Sequence, residues 1–357
     1  MARQRTIRKS KAAGWDKPQA TLPTGKLRNV SNEDYHATDA ISASKLQDWI
    51  EDKLSYQARH VTRSLPQRRS DAMDFGTLGH VAVLEPHALH ERYTFITAET
   101  PKKPTKAQLD AYERYPSLPN PTKAQTEAYQ RTSEALELWQ DIEQSGKLTV
   151  GLETWAHMGK CLDAIQANPM AVWLLEQATQ RELTWREYME PLGVYLQCRT
   201  DAYCGHSRKT RVYDRQYGRR ISRGDSFIVD LKFVESLNPN DYTSWQSLFD
   251  AKYYLQPGFY SPIVEEVTGK PPAEFFFIVV QKKEPVQCVV FYPTDRHLMT
   301  AEKAIKLHLP ALAESYRRNA WPAYDTEGAE SIEWTRKAEW QESRLDFDIM
   351  APQIGVG

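Results

Sequence analysis

Near residue 180 the period of the apolar residues changes, and that change restricts the chain to a mixed α/β architecture. Upstream, Leu136, Leu138, Trp139 and Ile142, then Met158, Cys161, Leu162 and Ile165, recur at helical spacing, with a break at Asn168-Pro169. Downstream, Leu183 to Tyr203 alternates around Trp185, Tyr188, Val194, Leu196 and Cys198, with Pro191-Leu192-Gly193 as a turn, which is the pattern of a hairpin. Phe227 to Val229 is a short apolar strand, Pro272 to Val280 a strongly strand-forming run, and Cys288 to Tyr292 a further strand. Leu248 to Val267 and Met299 to Arg318 return to helical spacing. Helices, then β-β-β-α-β-β, then a helix predict a mixed central sheet flanked by helices behind a helical N-terminal section.

Within that section Ser42 or Ser44 is placed to cap a helix through Leu46, Trp49 and Ile50. A second helix starts near Asp71 or Asp74 and carries Gly76, Gly79 and His80, with Pro86 ending it soon after. Its small residues permit close approach to a neighbour. Pro101 to Arg131 is polar and proline-punctuated and contains an echo, Pro104 to Gln108 with Ala111-Tyr112, then Pro121 to Gln125 with Ala128-Tyr129. We read residues 100–131 as an insertion or lid of two short helical units. The expected organisation is a basic arm over 1–27, one domain over 28–325, and a charged tail over 326–357.

Met1 to Lys26 holds seven basic residues, Arg3, Arg5, Arg8, Lys9, Lys11, Lys17 and Lys26, against one acid, Asp16, although the whole chain carries a net charge of only −1. Such an arm is either a solvated tail or a segment that lies along a phosphate backbone. No apolar run is long enough to cross a membrane, and the basic start leads into no apolar core of a signal peptide, so a cytoplasmic protein without a membrane partner is expected. The four cysteines, Cys161, Cys198, Cys204 and Cys288, form no CxxC pair and read as free thiols.

Two acids sit at the ends or edges of adjacent expected strands, Asp201 and Asp230. A carboxylate following a buried strand costs desolvation unless something offsets it, and a hard divalent cation does so well. On a strand Asp230 and Lys232 share a face. An ammonium there can orient a metal-bound water or offset charge on a phosphate, and the Leu231 carbonyl offers a further oxygen. Asp-x-Lys alone also occurs as a solvated surface pair worth little energy. His80 alone reads first as a core histidine. Gln256 and Tyr260, four apart, lie on one helix face, where an amide and a phenol can position a phosphate or nucleotide, or the Tyr can pack.

Taken in order, His80, Asp201, Asp230-Leu231-Lys232 and Gln256-x-x-x-Tyr260 resemble the PD-(D/E)xK nuclease superfamily, and within it the RecE-type exonuclease VIII branch. The flanks agree: Ser31 to His36 with Ile41 to Leu46, Gly76-x-x-Gly79-His80 with Leu84-Glu85-Pro86, Arg199-Thr200-Asp201, and Trp321-Pro322-Ala323-Tyr324. The resemblance spans Val30 to Tyr324 and implies a restriction-endonuclease-like core. It also implies that His80, Asp201, Asp230 and the Leu231 carbonyl hold Mg²⁺, with Mn²⁺ able to substitute, and that Lys232 is the catalytic lysine. Glu182 matches a family glutamate at the start of the first core strand, with Glu187 or Glu190 as alternatives. Two departures stand out. A basic insertion carries Arg215, Arg219, Arg220 and Arg223 between the two acid-bearing strands, and Pro257 directly follows Gln256.

The expected function is metal-dependent hydrolysis of DNA phosphodiesters, with the four arginines holding the backbone. The resemblance further implies 5′→3′ digestion of double-stranded ends, a ring-shaped homo-oligomer, and a single-strand annealing protein as partner in phage-type recombination. The alternatives are a structure-specific or single-strand endonuclease of the same superfamily, and a non-catalytic DNA-end-binding protein.

Overall fold

In a computed structural model, the protein is described for residues 21–66 and 71–322. Most of the expected basic arm and all of the expected tail lie outside these residues. The end of the arm is not free chain, because Gly25–Leu27 forms an edge strand.

One six-stranded sheet organises the fold, with its strands in sequence order: Gly25–Leu27 (β1), Gln180–Met189 (β2), Val194–Cys204 (β3), Phe227–Val234 (β4), Glu274–Gln281 (β5) and Gln287–Phe291 (β6). Every pair is antiparallel except β4 and β5, which run parallel and therefore need a helical crossover between them. The hairpin expected around Pro191-Leu192-Gly193 is β2–β3, with Gly193 supplying a left-handed φ of 67° in its turn. Strand β4 extends to Val234, past the expected Phe227–Val229, and so contains Asp230 and Lys232.

Helices cover both faces. Phe227, Val229 and Leu231 of β4, with Phe276, Ile278 and Val280 of β5, pack against Leu78 and Val81 of Asp71–Leu84 (α2), Met158, Cys161 and Ile165 of Leu152–Gln166 (α3) and Trp173 of Pro169–Gln177 (α4). The break expected at Asn168-Pro169 separates α3 from α4, where Asn168 caps the new helix and Pro169 opens it. On the other face lie Leu255–Thr268 (α5) and Asp295–Arg318 (α6), which meet through Gly258, where an added Cβ would stand 2.8 Å from the Ala301 Cβ. Residues Ala43–Glu51, capped by Ser42, form a further helix (α1).

The echoed segments begin helices at Lys106–Arg114 and Lys123–Gln144, each with a complete capping box, Thr105 with Gln108 and Thr122 with Gln125. Their echoed tyrosines, Tyr112 and Tyr129, stack at 4.6 Å. The second helix is far longer than expected, because Thr132, Ala135 and Ile142 continue its apolar stripe. The basic insertion is a small hairpin, Arg211–Asp214 with Arg219–Ile221. The four cysteines are free. Among the described residues no helix is long and apolar enough to cross a membrane.

Candidate active site

The ladder between β3 and β4 is short, and the site grows from where it stops. Cys204, Tyr203 and Ala202 pair with Phe227, Ile228 and Val229, and the pairing ends there. The next positions are Asp201 and Asp230. Beyond them β3 takes a different neighbour, Ile41, whose N–H bonds Tyr195 O at 2.8 Å and whose carbonyl accepts from Gln197 N at 2.8 Å. The two strands thus form a fork with an acid on each arm.

A fork leaves backbone groups without ladder partners, and buried backbone groups demand replacements. Side chains supply them. Leu231 N donates to Asp201 Oδ2 at 2.6 Å, and Leu231 O accepts from His80 Nε2 at 2.9 Å. A carbonyl only accepts, so Nε2 carries the hydrogen, and whenever the imidazole is neutral its lone pair is on Nδ1. That Nδ1 lies 3.7 Å from Asp201 Oδ2 and 3.8 Å from Glu182 Oε1. His80 reaches the fork because Gly79 lets α2 settle onto β4: a Cβ at Gly79 would stand 2.3 Å from the Phe233 ring.

Glu182 stands opposite Asp201 on β2 and adopts a left-handed φ of 44°, a conformation that costs a non-glycine residue roughly 1–3 kcal/mol. Ligand atoms of His80, Glu182 and Asp201 all lie within 4.8 Å of one another. Two hard carboxylate donors and one imidazole nitrogen form a set suited to a divalent cation. Glu187 and Glu190, the alternatives to Glu182, lie toward the far end of the β2–β3 hairpin, and Glu187 accepts from Tyr188 N at 3.1 Å.

The residues expected to hold metal are arranged differently from the expectation in two respects. Asp230, only 2% exposed, pairs with Lys232 rather than joining the three-residue cluster. The Leu231 carbonyl accepts the hydrogen bond that orients His80. Asp230 and Lys232 share the sheet face opposite Leu231, as period 2 requires. There Gln256 Nε2 donates to Tyr260 Oη at 3.3 Å, while the buried Gln256 Oε1 has no partner among the described residues. The Pro257 departure is accommodated, since α5 begins at Leu255 and Pro257 falls in its first turn.

The electrostatics follow from three carboxylates and two bases in little water. Burial raises the pKa of Asp201 and of Asp230, against the pull of Lys232 and His80. Burial draws the His80 imidazole down, but the Asp201 and Glu182 carboxylates outweigh it and lift its pKa to about 9. Burial likewise opposes the Lys232 charge, and Asp230 and Asp201 overcome it. Burial, together with Tyr35, Asp230 and Asp201, holds the Tyr260 phenol protonated.

The four arginines do not form one patch. Arg219 is held between Glu274 at 3.6 Å and Asp295 at 3.1 Å, with its guanidinium 5.3 Å from the Tyr292 ring centroid. Arg215, Arg220 and Arg223 are exposed. Their hairpin packs near Glu274, which pairs with Phe227, the end of β4 away from the open fork. Sequence reasoning missed Tyr253, whose ring faces Lys232 at 4.9 Å, and the Gly79–Phe233 contact. The small residues of the second helix were the available signal for the latter.

Comparisons with known proteins bear on the fold that carries this site. Residues 221–337 match a family described as a PDDEXK-like domain of unknown function; the matched segment contains Asp230, Lys232, Gln256 and Tyr260 but not β2 or the Asp201 strand. A crystal structure from Eubacterium rectale described as a "putative exonuclease" superposes with a TM-score of 0.50 at 13% identity, covering 87% of this chain and 96% of that one. No curated protein matches the chain. The mixed six-stranded sheet flanked by helices is the PD-(D/E)xK, restriction-endonuclease-like fold.

Proposed function

We propose that the chain is a divalent-metal-dependent deoxyribonuclease. The observation that carries the reading is the fork, where His80, Glu182 and Asp201 converge beside the Asp230–Lys232 pair. His80, Glu182 and Asp201 would hold Mg²⁺ or Mn²⁺, with Asp230 at hand as a further carboxylate. The bound ion would supply an acidified water and charge stabilisation at a phosphate. His80 would be kept in its ligating tautomer by the Leu231 carbonyl. Lys232 would orient the attacking water and offset charge on the phosphate. Gln256, whose side-chain oxygen lacks a partner among the described residues, and Tyr260 would position the substrate backbone. Exposed Arg215, Arg220 and Arg223 would contribute salt-dependent, sequence-independent affinity for DNA.

The finer reading is a 5′→3′ exonuclease acting on double-stranded ends, working as a ring with a single-strand annealing partner in phage-type recombination inside the cytoplasm. It is supported by the ordered motifs and by the description of the Eubacterium rectale neighbour as an exonuclease. Incubating end-labelled linear duplex and closed circular duplex with Mg²⁺ tests it. Release of the 5′ label from linear DNA first, with circles untouched, is the expected result. Equal cutting of circles would replace the exonuclease reading with an endonuclease, and binding without hydrolysis under Mg²⁺ or Mn²⁺ would leave a DNA-end-binding protein.

A further inference from the structure

Lys232 must hold its ammonium at one point to act on a water or phosphate, and Asp230 touches only one side of it. On another side lies the ring of Tyr253, with its centroid 4.9 Å from Nζ. A cation over an aromatic face within about 6 Å is drawn to the ring's quadrupole, more so where water is scarce. The Lys232 side chain is 14% exposed, so water competes weakly here.

The ring is braced from behind. Tyr253 stacks on Trp245 at 5.8 Å and 19°, and Trp245 stacks in turn on Phe291 at 5.8 Å and contacts Phe277 at 5.1 Å. This aromatic column runs from β6 and β5 to the lysine. Lys252 lies 5.4 Å from the same ring, and its side chain comes from the exposed side of the turn.

The backbone is built to aim Tyr253. Phe249–Tyr253 is a π-turn, closed by Tyr254 N to Phe249 O at 2.9 Å, in place of the uninterrupted helix that the apolar spacing predicts. Pro257 explains it: proline has no N–H for the Tyr253 carbonyl, and its ring crowds that carbonyl in a regular helix. An added residue in one turn shifts the direction of a side chain by about 100° relative to an α-helix. With a regular turn, Trp245, Tyr253 and Gln256 could not keep their present relation.

We infer that Tyr253 is the positioning residue of Lys232, a cation–π brace set by the π-turn; its role rests on the reading that Lys232 acts in hydrolysis. Two variants separate ring from bulk: Tyr253→Phe keeps the aromatic face, and Tyr253→Leu removes it. In steady-state cleavage of linear duplex with Mg²⁺, Tyr253→Leu lowers kcat about ten-fold with KM unchanged, and Tyr253→Phe stays near wild type. A second readout does not depend on cleavage. In protein labelled at lysine Cε, the Lys232 resonance, assigned by its loss in Lys232→Ala, lies upfield of solvent-exposed lysines in wild type and Tyr253→Phe. It returns to the exposed position in Tyr253→Leu.

Wild-type kcat in Tyr253→Leu, or a Lys232 resonance without a ring-current shift, overturns the inference alone. Wild-type protein that cleaves nothing with any divalent metal overturns the nuclease reading and the role of Tyr253 with it. In that case a persisting shift assigns the contact to packing.

Discussion

Strands β4 and β5 carry an ionic cluster toward each end, and the two are built in opposite ways. At the Phe227 end the Glu274 carboxylate accepts from the Tyr213 hydroxyl and faces Arg219, which also binds Asp295; Asp214 accepts from the Tyr292 hydroxyl. Every acid there has a donor, and the ladder on both sides of β4 is intact. About 10 Å along the strand the ladder to β3 has ended. Glu182, Asp201 and Asp230 gather there with, among the described residues, Lys232 and His80 to offset them, and Glu182 holds a strained backbone to take part. The first cluster is complete as a structural device. The second would gain from a bound cation, and this contrast, rather than the count of charges, is what the proposed reading of the fork rests on.

Removing an acid should therefore cost cleavage at the fork and not at the braced end. Asp201→Asn keeps an oxygen for Leu231 N but loses the charge, and we expect cleavage to fall on the order of 10³-fold with folding retained. Glu274→Gln should leave cleavage unchanged. Parallel assays and thermal melts of the two variants check this, and equal losses of activity would erase the distinction.

Metal should stabilise only the fork. Saturating Mg²⁺, at about a hundred times its Kd, adds about 2.7 kcal/mol to the folded state. Wild type and Glu274→Gln should show the rise in melting temperature, and Asp201→Asn should not.

At the braced end Arg219→Ala should cost about 1–3 kcal/mol at neutral pH, since it leaves buried Glu274 without its cation. Burial already raises the Glu274 pKa in the folded protein, and losing Arg219 raises it further. A carboxyl with a raised folded pKa destabilises above that pKa and ceases to as pH falls through it. The deficit of Arg219→Ala should accordingly shrink between neutral pH and pH 5 in denaturant titrations. A deficit that grows on acidification would contradict the role given to Glu274.

The smallest effect is expected on the hairpin surface. Replacing Arg215, Arg220 and Arg223 with Ala should lessen the salt dependence of DNA binding by about 0.9 in log–log slope for each arginine engaged, without changing kcat. An unchanged slope would remove the hairpin from the DNA path.

Period 2 made the shared face of Asp230 and Lys232 legible in the sequence, and the shift from helical to alternating spacing made the sheet legible. The convergence on His80 was legible only through the family resemblance, because it depends on a ladder that stops between Ala202 and Asp201, and no local pattern marks where two strands part. Glu182 was preferred to Glu187 and Glu190 by the resemblance alone, since the physical distinction is one left-handed φ and a position opposite Asp201. Pro257 was visible, but its effect, a widened turn that aims Tyr253, depends on the helix starting at Leu255. The arginines of the insertion read as one basic group, while Glu274 and Asp295, distant in sequence, claim Arg219.

The central claim is that the fork is a metal-dependent hydrolytic centre. Its most direct test is cleavage of labelled linear duplex by wild type and Lys232→Ala, with Mg²⁺ or with chelator, at protein concentrations that bind the DNA equally. Hydrolysis by wild type with Mg²⁺ alone, and none by Lys232→Ala despite equal binding, is the predicted result. Cleavage that survives chelation, or that Lys232→Ala performs at the wild-type rate, would contradict it.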